Sequence, residues 1–214
     1  MRREPLAGGQ PDGIVAHLEK IYFSYGSRPI LKNLDLALMA GETVVVSGSN
    51  GSGKTTLIKI LAGLLRPVQG SLKLGRNFFG RNLYLPGGGL YEDLSVGENL
   101  KLFAGFHQTS RERLEALISH FALGDLVSRR PTELSRGQAA RSALAQHFLP
   151  EVSLYLLDEP FSGLDNEASL LLTGYAEQCR KRGAALLISS TGSDGALATG
   201  AKRYHLLNGS LSVG

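Results

Sequence analysis

Apolar positions along this chain follow two rhythms, period two and period 3.6, and the switches between them are well marked. Ile14–Tyr25 and Leu31–Leu38 read as strands, with Leu34, Leu36 and Leu38 alternating onto one face of the second. Thr43-Val-Val-Val-Ser47 is β-branched and nearly continuous, as a parallel strand buried on both faces must be. Thr55–Ala62 then opens a helix. Ser71–Leu74, Asn82–Leu85, Ser153–Leu157 and Ala185–Ser189 are further short strands, and Tyr204–Ser212 is a hairpin turning on Asn208-Gly209. From about Leu94 to Gln146 the period becomes helical. One helix is led by Val96–Leu100. A second, opened by the capping-box pattern Thr109-Ser-Arg-Glu112, runs to about Phe121, and a third begins near Ser135. Glu167–Arg182 is a further helix. Strands thus flank an α/β centre that a helical block interrupts. The pattern predicts an α/β fold: a parallel-sheet core, an antiparallel β edge and a helical lobe at about 90–146. Residues 14–214 are expected to form a single domain, preceded by a loose polar tail over 1–13.

The junction between the continuous strand and its helix carries the first chemistry. Gly48, Ser49, Asn50, Gly51, Ser52, Gly53, Lys54 and Thr55 form a glycine-rich phosphate-binding loop, followed by Thr56. Glycines let the backbone fold around phosphate oxygens, so that successive N–H groups and a helix N-terminus point at negative charge. A lysine at position 54 reaches terminal phosphates, and a Thr55 hydroxyl ligates Mg²⁺. The substrate class is therefore a nucleoside triphosphate.

Composition narrows the setting. The 214 residues are 43% hydrophobic and 20% charged, ordinary for a globular protein. No apolar run reaches membrane-spanning length, and the first 13 residues hold no signal-peptide stretch, so a cytoplasmic location is expected. The single cysteine, Cys179, can form no internal disulfide. The net charge of +4 comes with basic clusters at Arg129-Arg130 and Arg180-Lys-Arg182. No aromatic-interleaved basic stripe accompanies them, so nucleic acid is not expected as a partner.

Two later motifs define the machine. Ser153-Leu-Tyr-Leu-Leu delivers Asp158 and Glu159 to the C-terminal end of a strand, the edge where ligands bind in open α/β sheets. There Asp158 would hold Mg²⁺ through water, and Glu159 would polarise the water that attacks the γ-phosphate. Leu134-Ser-Arg-Gly-Gln138 opens a helix with Ser135 as an anion-binding cap. With Ser162-Gly-Leu-Asp165, these motifs occur in the order of the nucleotide-binding domain of ATP-binding-cassette (ABC) proteins. The chain resembles that family from about Ile14 to Val213. The resemblance implies a head-to-tail dimer with two ATP molecules, in which Ser135 and Gly137 of one subunit, beside Gln138, contact the γ-phosphate held by Lys54 of the other. It implies further that Asp165 links the two sites and that Tyr25 stacks on adenine; the neighbouring Tyr22 and Phe23 are alternatives that suit a core role better. The run 157–165 looks similar to the ATPase of the cytochrome-c-maturation haem exporter.

Two positions depart from the family pattern. A glutamine is expected after the strand at 82–85, where this chain has Pro86-Gly-Gly-Gly89 and Gly87 stands in the likeness of that glutamine. A histidine is expected after Ala185–Ser189, where Ser190-Thr191-Gly192 stands, and His205 is assigned a structural role. Both missing groups sense the γ-phosphate in the family, so hydrolysis is expected to be slow. The leading expectation is the ATP-hydrolysing subunit of a membrane transporter, lying at the inner face of the membrane against a separate membrane-spanning chain. The alternative is a degenerate regulatory subunit with slow or no hydrolysis.

Overall fold

The computed structural model describes residues 13–75, the backbone of 83–84, and residues 89–192 and 200–214. The chain divides into two compact units. One comprises Met1–Tyr84, Val152–Pro160 and Gln178–Gly214, and the other Leu85–Glu151 and Phe161–Glu177.

The first unit is built on two sheets. β1 (Ile14–Tyr25) pairs antiparallel with both β2 (Arg28–Met39) and β4 (Gln69–Leu74), giving a three-stranded sheet in the order β2-β1-β4. The alternation expected in β2 is realised, since Leu34, Leu36 and Leu38 are all buried. The second sheet has six strands in the order β5-β6-β7-β3-β8-β9. It contains β3 (Thr43–Ser47), β5 (Leu83–Tyr84), β6 (Leu154–Leu157), β7 (Ala185–Ser190), β8 (Lys202–Leu207) and β9 (Ser210–Val213). The first five in that order run parallel, and β9 closes the edge as an antiparallel hairpin with β8. β3, β6 and β7 lie inside the sheet and are buried almost throughout, which is why their sequences are continuously apolar rather than alternating.

The antiparallel edge read from the sequence is therefore two features: a hairpin on the main sheet, and a separate antiparallel sheet that shares the core. α1 (Lys54–Leu61) presents Leu57, Ile58, Ile60 and Leu61 to that core, where they meet Leu18, Ile21 and Leu34 from one sheet and Val44, Leu156 and Leu187 from the other. Burying a leucine or isoleucine of this kind stabilises by about 1.5–3 kcal/mol. Of the strand expected at 82–85, Leu83–Tyr84 is present, and the positions on either side lie outside the described residues. The expected tail over 1–13 also falls outside them, save Gly13.

The second unit is helical. α2 (Val96–His107) begins at a Ser95 capping box with Glu98, and α4 (Arg136–His147) at a Ser135 capping box with Gln138. α3 (Arg111–His120) is capped by Ser110, whose side chain accepts from the Arg113 N–H. The cap is thus one residue later than the Thr109–Glu112 pattern suggests. Thr109 is otherwise engaged, its hydroxyl donating to Leu149 O at 3.1 Å. Arg113 ties the end of α4 down, donating to Leu149 O and Phe148 O at 2.8 Å each and pairing with Glu151 at 2.7 Å. Phe121, Phe148 and Tyr175 stack at the centre, with ring centroids 4.7–6.1 Å apart. Tyr175 belongs to α5 (Asn166–Lys181), whose residues up to Glu177 belong to this unit.

Candidate functional site

β3 ends at Ser47, and the loop that follows must reverse the chain into α1 within a few residues. Gly51 and Gly53 do so with φ of 78° and 112°, left-handed backbone that glycine adopts at little steric cost. Gly48 is needed for a different reason: a Cβ there would stand 2.7 Å from Leu206 O on β8. The loop wraps around Lys54, whose side chain is only 4% exposed. Its Nζ donates to Gly48 O at 2.7 Å and Ser49 O at 3.2 Å, and stands 3.4 Å from Glu159 Oε1. An ammonium buried this far needs oxygens around it, and loop carbonyls plus one carboxylate supply them.

The carboxylates arrive from β6. Asp158 Oδ2 accepts from Thr55 Oγ1 at 2.7 Å, which joins the strand end to the first turn of α1. Asp158 Oδ1 accepts from Ser189 Oγ on β7 at 2.6 Å, and the same serine oxygen accepts from the Glu159 N–H at 2.9 Å. Glu159 has φ of 50°, a left-handed conformation that is strained for a residue with a side chain. Ser189 is a member of this group that sequence reasoning missed. The signal for it is a serine pair ending an otherwise apolar strand, and it becomes legible only once the pairing of Leu157 with Ile188 is known.

A cavity of about 330 Å³ opens beside these groups, lined among others by Tyr25, Asn50, Lys54, Thr55, Thr56 and Glu159. Tyr25 is 51% exposed and meets Phe23 edge-on at 4.9 Å, while Phe23 itself is buried. Of the neighbouring aromatics, Tyr25 is the one that lines the cavity. Ser52 Oγ is buried without a hydrogen-bond partner among the described residues. No group of three or more His, Cys, Asp or Glu that could hold a metal occurs among the described residues. The hydroxyl of Thr55 and the carboxylate of Asp158 are adjacent hard oxygens. That donor set fits a Mg²⁺ whose remaining ligands are phosphate oxygens and water.

The remaining expected residues gather in the helical unit. Ser135 Oγ accepts from the Gln138 N–H at 3.2 Å, and Gln138 Oε1 accepts from the Ser135 N–H at 3.0 Å. Asp165 caps α5 by accepting from the Ala168 N–H at 2.8 Å. Gly137 packs so closely on it that a Cβ would lie 2.8 Å from Asp165 Oδ2. Four residues read from two separate motifs are thus one cluster.

Among the departures, Gly87 lies outside the described residues. Thr191 is exposed, and the chain turns after β7 on Ser190, whose Oγ accepts from the Gly192 N–H at 3.2 Å. His205 stands on β8 opposite Ser47, its Nδ1 3.1 Å from Ser47 Oγ at the root of the phosphate loop.

A glycine loop encloses a buried lysine, paired carboxylates end a parallel strand, and a capped Ser-Arg-Gly-Gln turn opens α4. A family model described as ABC transporter matches residues 31–162. The chain belongs to the ABC transporter family. It is 34% identical over 203 residues to the cytochrome c biogenesis ATP-binding export protein CcmA of Xanthomonas axonopodis pv. citri (strain 306), covering 89% of this chain and 91% of that protein. It is 33% identical over 179 residues to the ABC-type transporter ATP-binding protein EcsA of Bacillus subtilis (strain 168), covering 78% and 72%. A solved structure described as the ATP binding subunit of an ABC transporter superposes with a TM-score of 0.80 at 28% identity, over 92% of this chain and 88% of that one. Within the family the chain is an ATP-binding subunit, with the nucleotide-binding α/β fold its sequence predicts. Among the described residues no helix is long and apolar enough to cross a membrane.

Proposed function

We propose that this chain binds and hydrolyses Mg·ATP to drive a membrane transporter, acting as one of two ATPase subunits docked on a separate membrane-spanning chain at the cytoplasmic face. The observation that carries the reading is the convergence of Lys54, Thr55 and Glu159 on one cavity that Tyr25 also lines, with Asp158 hydrogen-bonded to the Thr55 hydroxyl. Tyr25 stacks on adenine. The amides of residues 49–55 and the Lys54 ammonium bind the phosphates, whose oxygens replace the carbonyls of Gly48 and Ser49 as the lysine's acceptors. Thr55 and Asp158 would hold Mg²⁺, which neutralises charge on the phosphates. Glu159, released from Lys54, orients the attacking water and accepts its proton. Ser135, Gly137 and Gln138 of a second subunit complete the phosphate shell, and Asp165 links the two sites.

The slow-turnover alternative draws on one observation. The turn after β7 presents Thr191 and Gly192 where the family has its histidine, and a single transition-state contact of that kind is worth about 3 kcal/mol, or roughly a hundredfold in rate. Steady-state ATP hydrolysis by the purified chain, repeated with Glu159→Gln, separates the readings. The variant should keep ATP affinity and lose turnover by at least about a hundredfold. Equal rates in the two proteins would remove Glu159 from the chemistry.

A further inference from the structure

Ser189 is a hydroxyl whose one proton and one acceptor site are engaged by the two carboxylate residues of the site. It is 1% exposed, donates to Asp158 Oδ1 at 2.6 Å and accepts from the Glu159 N–H at 2.9 Å. A serine hydroxyl has one proton to donate, and here it goes to the Asp158 oxygen that does not face Thr55. Asp158 is therefore fixed at both ends, Oδ1 by β7 and Oδ2 by α1, so its carboxylate plane is set by two elements rather than by its own rotamer. The second bond anchors the backbone of Glu159, whose φ of 50° is held against its intrinsic preference. One side chain thus orients the proposed metal carboxylate and the proposed base together.

We propose that Ser189 is a positioning residue that couples Mg²⁺ binding at Asp158 to the placement of Glu159. The inference rests on the reading of this cavity as a Mg·ATP site and goes beyond it, because Ser189 touches neither nucleotide nor metal in that reading. Without the hydroxyl, the partly buried Asp158 Oδ1 and Glu159 N–H both lose that partner. Asp158 then rotates to satisfy itself and the Glu159 peptide relaxes. Metal-dependent binding and turnover both suffer, while contacts made by Lys54 and the loop amides to the phosphates do not.

The test compares Ser189→Ala, Ser189→Thr and Ser189→Val in the full chain. ATP affinity is titrated in EDTA and in Mg²⁺, hydrolysis is followed against Mg²⁺ concentration, and thermal midpoints are recorded. Ser189→Ala should leave affinity in EDTA unchanged, raise the Mg²⁺ needed for half-maximal binding about tenfold and lower turnover about tenfold, the expected size for one charge-assisted hydrogen bond. Thr and Val have nearly the same shape, so the hydroxyl alone separates them. Thr should restore the Mg²⁺ response and Val should not. Equal Mg²⁺ responses for Thr and Val, or an Ala variant that loses EDTA and Mg²⁺ affinity alike, would overturn the proposal by making Ser189 a packing residue. Failure of the wild-type chain to bind ATP in EDTA and in Mg²⁺ alike would instead strike the reading of the cavity itself, so the two failures are distinguishable.

Discussion

Lys54 shows how one residue can be both the easiest to read and the most dependent on its setting. Its place after Gly53 names it as a phosphate ligand, but its burial forces it onto the carbonyls of Gly48 and Ser49 and beside Glu159. Removing the charge while keeping length and burial, as in Lys54→Met, should leave the fold intact, because the side chain's apolar stem still packs. Its affinity for ATP should fall at least about tenfold, with the far-ultraviolet circular dichroism unchanged, since a charged hydrogen bond to phosphate is worth about 1.5–3 kcal/mol. Unaltered affinity would place the phosphates elsewhere. Glu159 is legible in the same way, from a strand that ends in two carboxylates. Ser189 is not, because its role depends on a partner 31 positions away that only strand pairing brings beside it.

At the level of elements, the helical unit holds a titratable group with no part in ATP chemistry. His147 closes α4, and burial depresses its ring to about 4 despite a hydrogen bond involving the Ala143 backbone. Its Nδ1 is buried without a hydrogen-bond partner among the described residues. Between pH 6.5 and 4 the unfolded chain binds a proton that the folded one refuses, so stability must fall as the solution is acidified through that window. The loss should approach about 2 kcal/mol between pH 6.5 and 5. Urea unfolding of the wild type and of His147→Phe at those two pH values checks it: the substitution should remove most of the difference. An identical pH response in both proteins would show that the ring titrates normally. Most element boundaries agree with the sequence pattern to within two residues, while β2 begins at Arg28, three residues before the expected Leu31. α3 starts one residue later than a cap at Thr109 predicts, because Thr109 and Ser110 are equivalent as caps in sequence. Thr109 is taken by the Leu149 carbonyl, a contact 40 positions away.

For the whole molecule, the proposed motor needs a second copy. Each chain carries a phosphate loop in one unit and a Ser135–Gly137–Asp165 cluster in the other, and the proposal joins one chain's loop to the other chain's cluster. Glu159→Gln, with ATP retained, should therefore sediment as a dimer in Mg·ATP and as a monomer without nucleotide. Adding Ser135→Ala should weaken that dimer several-fold without affecting ATP binding by the monomer. A single sedimenting species under all these conditions would exclude the head-to-tail arrangement. In the helical unit, Tyr91 (55% exposed), Phe103 and Phe106 (69% exposed) form an aromatic row beside Leu102. The fully buried Asn99 holds its first member by accepting from the Tyr91 N–H and donating to Tyr91 O.

By itself the sequence determined the order of strands and helices, the phosphate loop, the acidic strand end and the capped signature helix. Those depend on local periods, on backbone freedom at glycine and on short-range capping, all of which act within a few residues. Tertiary structure decided what long-range pairing controls. It split the expected antiparallel edge into a hairpin and a separate sheet, and packed Gly137 against Asp165. It also set His205 beside Ser47 and brought Ser189 under Asp158. Strand order and register arise from burying several apolar faces at once, and no local stretch of the chain contains that information.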